Sequence, residues 1–172
     1  MLLAFTALLF CKPIQKYPYA VFYGSTKAKH KLVNYFDIGC THCAEFYRHT
    51  FPVIKKNFCD KGKLLFIYTP YPIHKETLIY MSCSTRLNSE QKQALFETLM
   101  EIEIPVTTDV IRECMKVLKT PYLDPTSRVL QDALSLTQQK NFDALPVMFF
   151  DGKRLRDDEQ DNLVPFLTRV LL

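Results

Sequence analysis

The stretch that decides the fold spans residues 31–43, Lys-Leu-Val-Asn-Tyr-Phe-Asp-Ile-Gly-Cys-Thr-His-Cys. Its first part, Lys31–Ile38, is rich in β-branched and aromatic residues and stops at Gly39, which predicts a buried strand. Beyond it, apolar residues recur at the spacing of one helix face: Ala44, Tyr47, Phe51, Ile54 and Phe58. The pattern places a C-x-x-C motif, from Cys40 to Cys43, where a strand meets a helix.

The rest of the chain adds a second strand, a helical block and a hairpin. Lys63–Tyr68 is predicted to be a strand parallel to the first, because a helix connects the two. Pro52 is expected to kink that helix. Residues 75–141 show only helical periodicity, and Asp124 followed by Pro125 predicts the start of the last helix there. Strand signals return in Pro146–Phe150, the turn Asp151-Gly152 and Lys153–Arg156, before a helix carrying Leu163, Phe166 and Leu167.

This order predicts one α/β domain, β-α-β then β-β-α, with an all-helical insertion. The α/β part is assigned to residues 16–74 and 142–172, and the inserted subdomain to residues 75–141. The chain has 172 residues, 48% of them hydrophobic and 23% charged, which suits a single compact domain. Its net charge of +4 is spread along the chain without a block of like charges, so nucleic-acid binding is not expected.

The N-terminus predicts export. Met1–Phe10 is an apolar run about half as long as a membrane-spanning helix requires. It resembles the apolar core of a secretory signal, although a basic start and a clear small-residue cleavage site are missing. Cys11 raises the alternative of a lipoprotein signal, which normally has a small residue where Phe10 stands. We expect residues 1–15 to be a signal or apolar N-terminal segment of a periplasmic or otherwise extracytoplasmic protein.

The C-x-x-C motif is suited to redox chemistry because of its position. The first turn of a helix presents unpaired N–H groups and the positive end of the helix dipole, which stabilise a thiolate at Cys40. Cys43 lies one turn further on and can reach back to form a disulfide. His42 can donate a hydrogen bond or positive charge to Cys40, which lowers its pKa and makes the disulfide more oxidising.

Other uses of the two cysteines are less well supported. A zinc site normally needs a second pair of ligands, and His30, His49 and His74 are scattered, so no metal is expected. A c-type haem is excluded because Ala44 follows Cys43 where histidine is required.

Four segments resemble the DsbA-like thiol–disulfide oxidoreductases: Leu32–Cys43, Thr50–Ile54, Phe66–His74 and Ala144–Lys153. The resemblance implies a thioredoxin fold with an inserted helical subdomain. It also implies an extracytoplasmic enzyme that needs no cofactor and passes its disulfide to folding proteins.

The resemblance assigns roles to the site residues. Cys40 would be the nucleophile that forms the mixed disulfide, Cys43 the buried resolving partner, and His42 the residue that tunes the redox potential. In this family a cis-proline faces the cysteine pair, and Pro146 stands at its position. The substrate groove would then be lined by Thr41, Leu145 and Pro146.

Two positions depart from the family pattern. Many relatives carry a buried acid six residues before the first cysteine, where this chain has Asn34, which cannot titrate. Proton transfer at Cys43 must then use water or another group, of which Asp37 is a candidate; its alternative role is to cap the loop. Leu145 is bulkier than the valine or threonine common at its position, which affects the expected substrate range.

The preferred function is the introduction of disulfides into exported proteins with free thiols, with a membrane partner for re-oxidation. The nearest alternative is the same chemistry in reverse, a reductase or isomerase. Two further alternatives are a metal-binding protein or metallochaperone on the same fold and a non-catalytic peptide-binding module. The sequence also leaves open a structural disulfide between two of Cys59, Cys83 and Cys114.

Overall fold

The computed structural model describes residues 18–103 and 105–172, which form a central mixed sheet flanked by helices. The strands are β1 (Val21–Tyr23), β2 (His30–Phe36), β3 (Leu64–Pro70), β4 (Val147–Phe150) and β5 (Lys153–Arg154). They lie in the order β1-β3-β2-β4-β5, with β2 and β3 parallel and all other neighbours antiparallel. The parallel pair and the final hairpin are confirmed, and so is the thioredoxin fold as a whole.

The strand limits differ in detail from the prediction. β2 ends at Phe36, because backbone N–H groups beyond it make hydrogen bonds outside the sheet. The N–H of Ile38, for example, donates to the Thr77 hydroxyl at 2.9 Å. β3 runs on to Pro70, which lies opposite Phe36. Pro146 precedes β4, and β5 has two residues. The sequence analysis missed β1, because three residues are too few to show an alternating pattern.

The predicted Asp151-Gly152 turn joins β4 to β5. Both residues have positive φ, 48° and 86°, as a tight turn between antiparallel strands requires. The Asp151 carboxylate also accepts the backbone N–H of Lys31 at 2.8 Å, which ties the turn to β2.

One continuous helix, α1 (residues 41–59), follows β2. Its α-helical segments Thr41–Glu45 and Phe51–Ile54 alternate with π-helical segments Phe46–Thr50 and Lys55–Cys59. Pro52 has no N–H to donate to the carbonyl four residues earlier, and the helix continues past it through these widened turns.

The buried face of α1 packs on the sheet through aromatic rings. The ring of Phe51 lies 5.0 Å from that of Tyr68 and 4.7 Å from that of Tyr23, edge to face. Tyr68 also contacts Phe96 of the helical region, with ring centroids 4.7 Å apart. These contacts join β1, β3, α1 and the inserted helices in one core.

Four helices lie between β3 and β4: α2 (Lys75–Ser84), α3 (Ser89–Glu101), α4 (Thr108–Val117) and α5 (Ser127–Lys140). The prediction that Asp124-Pro125 begins the last of them is wrong. Thr126 caps α5, because its hydroxyl accepts the N–H of Val129 at 3.3 Å, whereas Asp124 accepts a hydrogen bond from the Tyr122 hydroxyl. The division into subdomains stays a prediction.

The chain ends in α6 (Asp157–Asp161) and α7 (Leu163–Leu171). Across residues 18–103 and 105–172, no helix combines the length and apolar character that a membrane span requires. The predicted signal segment, residues 1–15 with Cys11, lies outside the described residues.

Candidate active site

Cys40 is the residue that caps the N-terminus of α1. Its backbone is extended, with φ −83° and ψ 111°, and its sulfur accepts the backbone N–H of Cys43 at 3.2 Å. The Cys40 side chain is partly exposed, while Cys43 is 2% exposed. Because the helix begins shortly after β2 ends, the Cys40 thiol is accessible and the Cys43 thiol is buried.

The two thiols differ in acidity. Hydrogen bonding from the Cys43 thiol, aided by the Cys43 backbone N–H, lowers the pKa of Cys40 to about 7, although burial and the charge of Asp37 oppose this. Burial raises the pKa of Cys43 far above its ordinary value, and the neighbouring Cys40 raises it further. Near neutral pH Cys40 is therefore a mixture of thiol and thiolate, whereas Cys43 is a neutral thiol.

The loop before β4 faces Cys40. The Leu145–Pro146 peptide bond is cis, as the resemblance implied. The carbonyl oxygen of Leu145 lies 3.7 Å from the Cys40 sulfur. The structure thus brings Cys40, Cys43, Leu145 and Pro146 together at one edge of the sheet.

Thr41 and His42 occupy the first turn of α1 and are exposed. Within the described part of the chain, His42 makes no hydrogen bond to Cys40, whose sulfur is instead contacted by the N–H of Cys43. The electrostatic effect of His42 does lower the pKa of Cys40, as the smallest of the named causes. This effect has the expected direction, and the role of His42 at the site stays a prediction.

Asp37 lies in the loop between β2 and α1 and is fully buried. One carboxylate oxygen accepts the N–H of Gly39 at 2.7 Å, and the other accepts the N–H groups of Ile73 at 2.7 Å and His74 at 2.9 Å. These bonds show the loop-capping role that the sequence analysis offered as the alternative for Asp37.

His74 is a site residue that the sequence analysis did not identify. Its Nδ1 lies 2.7 Å from the first carboxylate oxygen of Asp37, and the hydrogen bond raises the pKa of the imidazole. Because β2 and β3 are parallel, Asp37 after β2 and His74 after β3 emerge at the same edge of the sheet. The predicted parallel pairing of β2 and β3 could therefore have identified His74 as a site residue.

The loop that leads to Cys40 also makes hydrogen bonds to the helical region and to the segment after β3. The hydrogen bond from the Ile38 N–H to Thr77 is buried and reaches α2. The N–H of Tyr71 donates to the carbonyl of Phe36 at 2.6 Å. Since these bonds flank Asp37, the segment before Cys40 is held from two directions.

Asn34, at the position of the family acid, is 1% exposed on β2 beside Tyr68. Among the described residues, neither the side-chain amide oxygen (Oδ1) of Asn34 nor the Tyr68 hydroxyl has a hydrogen-bond partner. Burial raises the pKa of Tyr68, and the electrostatic effects of Tyr47 and Cys43 raise it further. The interior near Cys43 is therefore polar but lacks a carboxyl group at position 34.

The remaining described cysteines lie apart from this site. Cys59 and Cys83 are buried and Cys114 is partly buried, all as free thiols. Cys83 accepts the N–H of Leu123 at 3.4 Å, in keeping with a packed structural thiol. Within the described ranges there is no group of three His, Cys, Asp or Glu side chains arranged to hold a metal ion.

The fold and the site define a class of protein. Its members have a thioredoxin fold and a C-x-x-C motif that lies at the start of a helix, opposite a cis-proline. The chain belongs to the thioredoxin family, whose model matches residues 16–167. A Rickettsia typhi protein, provisionally named a protein-disulfide oxidoreductase, is 30% identical over 69 residues, 38% of this chain and 26% of that protein. The chain thus spans about a quarter of the length of the curated relatives it matches.

Solved structures share the fold. Oxidised BdbD from Bacillus subtilis superposes with a TM-score of 0.67 at 18% identity, covering 88% of this chain and 92% of BdbD. A variant of α-DsbA1 from Wolbachia pipientis with two cysteines replaced by alanine superposes with a TM-score of 0.63 at 18% identity, covering 83% of this chain and 81% of that one. The resemblance to DsbA-like proteins is confirmed in the fold.

Proposed function

We propose that this chain is a thiol–disulfide oxidoreductase that introduces disulfides into exported proteins. The observation that carries the proposal is the contrast between two sulfurs within one helical turn. Cys40 is accessible and has a pKa near 7, whereas Cys43 is buried and has a strongly raised pKa. An exchange enzyme requires one sulfur that meets the substrate and one that resolves the intermediate.

The reaction starts from the Cys40–Cys43 disulfide. A substrate thiolate attacks the Cys40 sulfur, the bond between Cys40 and Cys43 breaks, and Cys43 leaves as a thiolate that takes up a proton because of its high pKa. A second substrate thiolate then attacks the substrate sulfur of the mixed disulfide. Cys40 departs as a stable thiolate, and two electrons have moved from the substrate to the protein.

The direction follows from the stability of the reduced pair. A low pKa on Cys40 stabilises the dithiol form at neutral pH, which makes the disulfide the stronger oxidant. We therefore favour oxidation over the reductase or isomerase alternative. Return to the disulfide requires an acceptor of two electrons, for which we propose a membrane redox partner.

The proposed groove for substrate consists of Thr41, Leu145 and Pro146 around the Cys40 sulfur. Thr41 is exposed beside Cys40, and the carbonyl oxygen of Leu145 contacts the Cys40 sulfur. An extended peptide could bind there through backbone groups, and no cofactor is required because the cysteine pair carries the electrons. Disulfide formation needs an oxidising compartment, which agrees with the expected export to the periplasm or another extracytoplasmic space.

The test uses oxidised protein and a reduced peptide with two cysteines, followed by mass spectrometry. We expect the wild type to convert one equivalent of peptide to its disulfide. With the symmetrical disulfide of a one-cysteine peptide, Cys43→Ser should retain a stable adduct on Cys40, and Cys40→Ser should retain none.

Cys59→Ser removes a buried thiol far from the groove and serves as the matched control, with transfer equal to wild type. Absence of transfer by the wild type would contradict the proposal and favour a metal-binding or peptide-binding role. An adduct on Cys43 in the Cys40→Ser variant would contradict the assignment of the nucleophile.

A further inference from the structure

The buried carboxylate of Asp37 presents an electrostatic problem for the nucleophile. Its charge raises the pKa of both Cys40 and Cys43, so it opposes formation of the thiolate that the proposed reaction needs. It is fully buried and accepts hydrogen bonds from three backbone N–H groups, which shape the loop before Cys40. A buried charge of this kind requires a partner of opposite sign.

His74, which lies between β3 and α2, supplies that partner. Its Nδ1 lies 2.7 Å from the Asp37 carboxylate, and its side chain is 52% exposed. The ring is also close to the backbone beside the nucleophile, because a Cβ atom on Gly39 would lie 2.9 Å from its Cγ and Nδ1 atoms. Gly39 is thus the residue that lets the imidazole approach the loop.

We propose that His74 is a positioning residue whose imidazolium compensates the charge of Asp37 beside Cys40, so that the nucleophile ionises while the loop keeps its carboxylate anchor. The proposal rests on the proposed function for its catalytic meaning. It assigns to His74 a share of the tuning that the sequence analysis gave to His42 alone.

The charges around His74 favour its protonated form. The hydrogen bond and the charge of Asp37 raise the pKa of His74 most, burial opposes them, and Glu76 and the Cys40 thiolate add smaller upward effects. Lys75, the next residue in the chain, has its ammonium group 3.9 Å from Glu76 and is largely exposed. Because electrostatic coupling is reciprocal, an imidazolium that is stabilised by the Cys40 thiolate stabilises that thiolate equally.

The variant His74→Asn separates the effect of the imidazolium charge from that of the hydrogen bond to Asp37. An asparagine amide can place an N–H near the position of Nδ1 and keep the hydrogen bond to Asp37, but it carries no charge. The matched control is His49→Gln, since His49 is an exposed histidine on α1. The readout is the pH dependence of iodoacetamide alkylation of the reduced protein, and the rate of the Cys40→Ser variant is subtracted because Cys114 is also partly exposed.

We expect His74→Asn to raise the pKa of Cys40 by about 0.5–1 unit, which lowers the equilibrium constant for oxidising glutathione about three- to tenfold at about pH 9, where the Cys40 thiolate dominates in both proteins. His49→Gln should leave both values unchanged. An unchanged Cys40 pKa in folded His74→Asn would overturn the proposal.

A second measurement needs no substitution. The pKa of His74, followed by NMR in the wild type, should be higher in the reduced protein than in the disulfide form, because only the reduced protein has a Cys40 thiolate. Equal values would overturn the proposal. Alkylation and NMR do not depend on transfer to a substrate, so failure of the proposed function, which is absence of peptide oxidation, remains distinguishable from failure of this inference.

Discussion

The sulfur of Cys40 lies 3.7 Å from the carbonyl oxygen of Leu145, 105 residues away in the chain. The contact places the nucleophile at the start of α1 against the loop that leads into β4. A substrate bound along that loop would therefore present its sulfur directly to Cys40.

The reactivity of Cys40 should titrate near neutral pH. Its folded-state pKa of about 7 predicts that alkylation of the reduced protein rises as pH increases from 6 to 8 and then levels off. An ordinary cysteine would keep gaining reactivity up to about pH 9. Stopped-flow alkylation of the wild type, with Cys40→Ser as the blank, measures this, and a midpoint above 8.5 would contradict it.

The stability of the reduced protein should depend on the same thiolate. Since the folded pKa of Cys40 is lowered, the thiolate stabilises the fold fully above the unfolded-state pKa and is lost as pH falls through about 7. Relative to Cys40→Ser, the reduced wild type should gain about 1–2 kcal/mol of unfolding free energy between pH 6 and pH 9. Urea denaturation at the two pH values tests this, and a difference that does not change with pH would exclude it.

The hydrogen bond from Ile38 to Thr77 should matter for both stability and exchange. Thr77→Val keeps the shape of the side chain but leaves a buried N–H without an acceptor, which should lower the unfolding free energy by about 1–3 kcal/mol. We also expect slower peptide oxidation, because the loop before Cys40 loses one of its anchors. Thr98→Val, at an exposed helical site, should change stability by less than about 0.5 kcal/mol. Equal effects of the two substitutions would refute the anchoring role.

Asn34→Asp should introduce a carboxyl group with a raised pKa, because position 34 is 1% exposed. A raised folded-state pKa means that the variant is least destabilised at low pH and loses stability as pH rises through that value. We expect a loss of about 1–3 kcal/mol at pH 7 relative to pH 4, after correction for the wild type. Asn57→Asp, on a more exposed part of α1, provides the control and should show little of this pH dependence.

The features found from sequence are those that local patterns encode. The strand before Gly39, the helix after it and the cysteines between them lie within one short segment, so their arrangement follows from local rules. The cis-proline opposite Cys40 came from the resemblance, since nothing local to Pro146 indicates what it faces. The hairpin turn at Asp151-Gly152 was again a local signal.

The features missed depend on contacts between distant segments or on competition between neighbours. His74 acquires its role from Asp37, 37 residues earlier, through the parallel pairing of β2 and β3. Two residues after Asp124, Thr126 caps α5, and both residue types are good caps, so the sequence could not rank them. The hydrogen bond expected from His42 is not among the described contacts of Cys40, whose sulfur accepts the Cys43 N–H instead.

The equilibrium between the Cys40–Cys43 pair and a glutathione buffer tests the central claim most directly. The proposed oxidase should have a reduction potential above about −200 mV, toward the oxidising end of the range for thioredoxin-fold proteins. A potential near that of thioredoxin, about −270 mV, would contradict the oxidase assignment and make the protein a reductase.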